Sequence, residues 1–120
     1  QIGIELVSDA ASSMIEGRSA TASMLSVKDR PRAIYYANDD LAAGGIMHCL
    51  SSGLSMPDDV ALAGFNGLPF LEALPIRLTT VETPRLEMGV RAAQYLIDDN
   101  PPQDTPRVDL GFKLVPGETC

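Results

Sequence analysis

Histidine and cysteine are scarce in this 120-residue chain, which holds one His and two Cys. With His48 the single imidazole and no Cys-x-x-Cys pair, there is no ligand set to hold a metal, and no cofactor is expected. Cys49 and Cys120 are too few for a disulfide framework. Cys49 sits in an apolar stretch as a small hydrophobe, and the pair fits a reducing cytoplasm. Positive charge is short as well. Lys28 and Lys113 are the only lysines, and 16 acidic residues against 9 basic ones leave a net charge of −7. Such a surface repels a phosphate backbone, which excludes nucleic-acid binding by this segment itself. No apolar run approaches the length of a membrane span, and signal-peptide patterns, repeats and low-complexity tracts are all absent.

What is present is a chain 45% apolar, about one small domain in size. It starts at Gln1 and runs straight into the strand-like Ile2-Gly3-Ile4-Glu5-Leu6-Val7, so it is expected to be a piece of a longer protein. Ser13 and Glu16 form a capping box for a helix over about 14–27. Pro31 breaks the chain before a strand at Ala33–Ala37. Asn38 or Asp39 then caps a helix running to about Ser52, with Gly53 suited to its left-handed end. Val60–Phe65, apolar almost throughout, reads as a strand covered on both faces. Leu78–Glu82 is a further strand. Thr83-Pro84 opens a third helix with Leu86, Val90, Ala93 and Ile97 on one face, and Val108–Val115 is the last strand. Alternation of strand and helix argues for an α/β fold around a parallel sheet.

In such sheets the ligand crevice lies beyond the carboxyl ends of the strands. Ser8–Ser13, Asn38 and Asn66 follow three successive strands and deliver neutral hydrogen-bonding groups to one edge. That suits a small polyhydroxylated ligand. Each residue also has a plainer use: Asn38 or Asp39 as a cap, Asn66-Gly67 as a turn, Asp39-Asp40 as complement to a helix dipole. Tyr35 and Tyr36 alternate, so one can face the crevice and the other the core.

Ala37-Asn38-Asp39-Asp40-Leu41-Ala42-Ala43-Gly44-Gly45, Pro57 through Gly67, Leu78-Thr79-Thr80-Val81, and Pro84-Arg85 with Gly89 and Ala92-Ala93 form four ordered blocks. Together they resemble the lac-repressor (LacI/GalR) family of bacterial transcription regulators, from about Ser12 to the C-terminus. Asn38-Asp39-Asp40, Gly64-Phe65-Asn66-Gly67 and the ending Asp109 through Thr119 look most like its gluconate-operon repressor subgroup. The resemblance implies a periplasmic-binding-protein-like lobe, a fragment of a two-lobed effector domain. Residues 1–77 would be the second lobe, 78–107 a crossover strand and a helix returning to the first lobe, and 108–120 a crossover strand and tail. Asn38 matches an effector-contacting asparagine. Asn66 stands where the family usually has an aspartate that binds sugar hydroxyls, and the exchange removes a negative charge, easing entry of a sugar acid. Ser12, Ser13 and Tyr35 would line the pocket. None of Arg18, Arg30 and Arg32 is placed to meet an anionic ligand, which suggests that the missing lobe supplies the cation.

The resemblance also implies a homodimer, with Ala42, Ala43, Ile46, Met47 and Leu74 at the interface. Small residues there equally suit close packing of the helix on its own sheet. Operator DNA would be met only through an N-terminal helix-turn-helix absent from this chain, in a cytoplasmic protein without membrane contact. No enzyme is expected: the acidic residues are misplaced for a phospho-accepting receiver domain, and His48 has no Ser and Asp partners. The alternative is a periplasmic-type sugar-binding protein of a transport system, with the same lobe architecture.

Overall fold

The computed structural model describes residues 3, 5–7, 9–98 and 107–120. Ser13 accepts the Glu16 amide at 3.1 Å and opens helix α1, Met14–Leu25. Only that half of the capping box is formed among the described residues. Strand β1, Ala33–Tyr35, is followed by Asn38, which caps helix α2, Asp39–Ser51, by accepting the Leu41 amide at 3.0 Å. Strand β2 is Ala61–Asn66. A 3-10 turn at Pro69–Ala73 leads to β3, Thr79–Glu82, then helix α3, Arg85–Ile97, and β4, Lys113–Val115.

The sheet order is β1-β2-β3-β4. The first three strands run parallel, with Tyr35 opposite Ala63 and Asn66 opposite Glu82. β4 is antiparallel to β3. Alternation sends Ile34, Leu62 and Gly64 toward α2, where they join Tyr36, Ala42, Ile46, Cys49, Val60 and Leu78 in the buried interior. α1 lies directly on α2. A Cβ at Gly17 would overlap the Leu41 backbone, and one at Gly44 the Met14 carbonyl, so these glycines let the two helix backbones touch.

The tail closes the lower end of the sheet. Thr119, fully buried, donates its hydroxyl to the Leu62 carbonyl at 2.7 Å and accepts the Thr79 amide at 3.0 Å. It thus bridges β2 and β3 where a direct ladder bond is missing.

Two expected strands differ. Gly3, Glu5, Leu6 and Val7 form none, and Ile2 and Ile4 lie outside the described residues. Leu6 and Val7 are exposed, and an apolar run holds a strand only while its backbone finds a partner row. The last strand covers only Lys113–Val115, because Asp109 Oδ1 takes the Gly111 amide at 2.7 Å and Gly111 turns to φ +70. α3 has the expected apolar face, but none of its residues is buried, and Leu86 and Ile97 are 83% and 78% exposed. The resulting radius of gyration is 17.5 Å, against roughly 14 Å for a compact chain of this length.

Candidate functional site

The carboxyl ends of β1 and β2 place Asn38 and Asn66 on one rim of the sheet. Asn38 Oδ1 is occupied by the cap, while its Nδ2 donates to Ser12 Oγ at 2.5 Å. Ser12 is therefore held against Asn38. One Nδ2 hydrogen of Asn38 remains for a ligand. Asn66 makes no side-chain hydrogen bond among the described residues, and its backbone stands at φ 113, outside the usual range for a residue with a Cβ. A solvent-reaching amide, unpartnered among the described residues and held in a costly backbone conformation, is the most ligand-directed feature of the rim.

The remaining expected residues fall elsewhere. Ser13 spends its hydroxyl on the α1 cap. Tyr36 is the buried member of the tyrosine pair and Tyr35 the outward one, 65% exposed. Thr21 gives its proton to the Gly17 carbonyl at 2.6 Å, so the 2.7 Å contact between the two hydroxyls is donated by Tyr36. Burial pushes the Tyr36 phenol up to about 12. Burial likewise raises the Cys49 thiol. Ala42, Ala43 and Ile46 have no accessible surface, because α2 packs them into this chain's own interior. Met47 and Leu74 pack on the same core but keep some exposed area.

The sequence pointed to Asp39 only as a cap or dipole partner and gave Thr80 no role, so their contact is new. Asp39 is 0% exposed, and its carboxylate accepts the Thr80 hydroxyl at 2.6 Å and the Leu68 amide at 2.8 Å. A Cβ at Gly64 would crowd Asp39 Oδ1, so the glycine in β2 leaves room for the carboxylate. The one signal available was that glycine, set in a strand of otherwise apolar residues up to Phe65.

On the sheet face away from α2, a groove of about 440 Å³ is lined by Phe65, Val81, Pro84, Met88, Leu110 and Phe112 among others. Arg18 and Arg30 are engaged away from the rim, whereas Lys113 pairs in the sheet with Glu82, which in turn pairs with Asn66. Arg18 reaches Ser51 at the far end of α2, and Arg30 pairs with Asp59 ahead of β2 at 4.0 Å. Among the described residues no group of His, Cys, Asp and Glu could hold a metal, and no helix is long and apolar enough to cross a membrane.

The sequence profile of the periplasmic binding protein-like domain matches residues 5–120. The chain belongs to that family. Within it the chain is similar to the HTH-type transcriptional regulator GntR of Pseudomonas aeruginosa, at 32% identity over 98% of this chain and 35% of that protein. The structure of the transcription regulator GntR from Chromobacterium violaceum matches with a TM-score of 0.81 at 37% identity, covering 91% of this chain and 41% of that one. A LacI family transcriptional regulator from Lactobacillus casei with bound glucose matches at TM-score 0.76 and 26% identity, covering 90% and 40%. The periplasmic-binding-protein-like domain is thus of the LacI effector type, and its α/β class is borne out. These relatives are regulators, not enzymes, and the chain spans about a third of the length of the curated one.

Proposed function

We propose that this chain is the sensing part of a LacI-type transcription regulator whose effector is a small sugar or sugar acid of the gluconate kind. The observation that carries the reading is the Asn66 amide, unpartnered among the described residues, near Asn38 at the carboxyl ends of adjacent parallel strands. Asn38 and Asn66 contact ligand hydroxyls, and Ser12 orients Asn38. A neutral amide at position 66 tolerates an anionic ligand, whose countercharge comes from the lobe not contained in this chain. α3 fits a return to that lobe, since its apolar face is uncovered here. The protein is a cytoplasmic homodimer, with Met47 and Leu74 the interface residues that retain surface, and it meets operator DNA through a separate helix-turn-helix.

Thermal unfolding of the full-length protein against gluconate, related sugar acids and neutral sugars tests this. A ligand at 100 times its dissociation constant adds about 2.7 kcal/mol. The expected result is a midpoint shift with a sugar acid that Asn38→Ala and Asn66→Ala both remove. A shift with neutral sugars alone discards the sugar acid, and no shift with any of them removes the reading.

A further inference from the structure

Among the described residues, Asp39 is the one buried carboxylate, and neither the core nor the ligand-facing rim explains it. Attraction to the start of α2 does not require burial, since an exposed acid in the first turn gains the same interaction. Asp40, next to it and only part-buried, already offers that. Taking a carboxylate out of water is costly unless fixed donors meet its oxygens, and here two donors from two different segments do so. Thr80 belongs to β3, the strand that leads into α3. Leu68 lies two residues beyond Asn66, in the loop that leaves β2. Asp39 itself adjoins Asn38. The glycine at 64 opens the space in which the three meet.

We propose that Asp39, through Thr80 and the Leu68 amide, is a positioning residue that holds Asn38 and Asn66 in register for the effector. Its carboxylate ties the start of α2 to the loop after Asn66 and to β3. Asn66 keeps its φ of 113 only while its neighbours fix it, and the Leu68 anchor does so from the following turn. Because the second tie is to β3, a ligand that tightens the rim also bears on the strand leaving this lobe. The affinity part of this inference rests on the effector reading above, while the tie itself can be observed without a ligand.

The test uses the full-length protein with Thr80→Val, which keeps the shape and removes the hydroxyl, and Thr80→Ser, which restores it. Two readouts are compared: amide hydrogen exchange in the ligand-free protein and gluconate affinity by calorimetry at 25 °C. Thr80→Val is expected to speed exchange at Gly67 and Leu68 about tenfold while core amides of α2 stay protected, and to weaken gluconate about tenfold, equivalent to ~1.4 kcal/mol. Thr80→Ser is expected to return both. A purely structural role lowers the unfolding midpoint but leaves the affinity of the folded protein unchanged. That result, or exchange that rises uniformly or not at all, overturns the proposal. If the wild type binds no gluconate, the ligand reading fails and the exchange pattern alone decides the role of Asp39. Should Thr80→Val not fold, Thr80→Cys, a weaker donor, is expected to show the same pattern at smaller amplitude.

Discussion

Replacing Thr119 by valine keeps the volume of a wholly buried side chain and deletes one hydroxyl. That hydroxyl serves two backbone groups at once, the Leu62 carbonyl at 2.7 Å and the Thr79 amide at 3.0 Å. In Thr119→Val both lose this partner inside the sheet, and each unsatisfied buried group costs about 1–3 kcal/mol. Partial relaxation of the tail reduces the sum, so the expected loss is about 2–4 kcal/mol, a large share of the stability of a typical domain. Thr119→Ser keeps the hydroxyl and loses a methyl, with an expected loss of about 1 kcal/mol. Urea unfolding of both variants in the full-length protein, at matched slopes, measures the difference. A Thr119→Val protein within about 0.5 kcal/mol of wild type would refute the bridging role and imply that β2 and β3 close directly once the hydroxyl is gone.

Raising the pH should destabilise the protein from about pH 10 upward. Below that, the unfolded and folded tyrosines are both protonated; between 10 and about 12 the folded Tyr36 keeps the proton that the unfolded one has lost, so stability falls by up to about 2–3 kcal/mol. The raised Cys49 thiol acts in the same direction, and Tyr36→Phe should flatten the curve measured by unfolding across pH. Gly44→Ala should cost several kcal/mol, roughly as overpacking of a rigid contact does, because the new Cβ meets the α1 backbone; calorimetric melting reads the loss. Asn66→Gly should leave the melting temperature unchanged or slightly raised, since glycine accepts a positive φ freely, yet abolish effector binding; a coincident loss of both would place Asn66 in the fold rather than the site.

Much of this was legible in the chain because local signals agreed with the tertiary outcome. Asn38 caps α2, Ser13 caps α1, and the Val60–Phe65 run became the central β2, one residue displaced at Ala61–Asn66. The placement of Asn38 and Asn66 at one rim was legible because polar residues at strand ends stand out against apolar runs. The misses share a cause: contacts between distant segments leave no local periodicity. Asp39 looked like a dipole partner, since nothing nearby in sequence reveals that Thr80 and Leu68 converge on it. The packing of α1 on α2, which Gly17 and Gly44 allow, likewise left no local signal. The run at 2–7 has strand composition, but its described part lies off the sheet and exposed, and composition alone does not pair a strand.

The most direct test of the central claim is the affinity of the full-length protein for gluconate, measured by calorimetry for wild type and Asn66→Asp. Saturable binding by the wild type is expected, with a loss of about tenfold or more when a carboxylate stands at position 66, because two like charges then share a partly buried rim. Wild-type protein that does not bind, or an Asn66→Asp variant that binds gluconate as well or better, would contradict that claim.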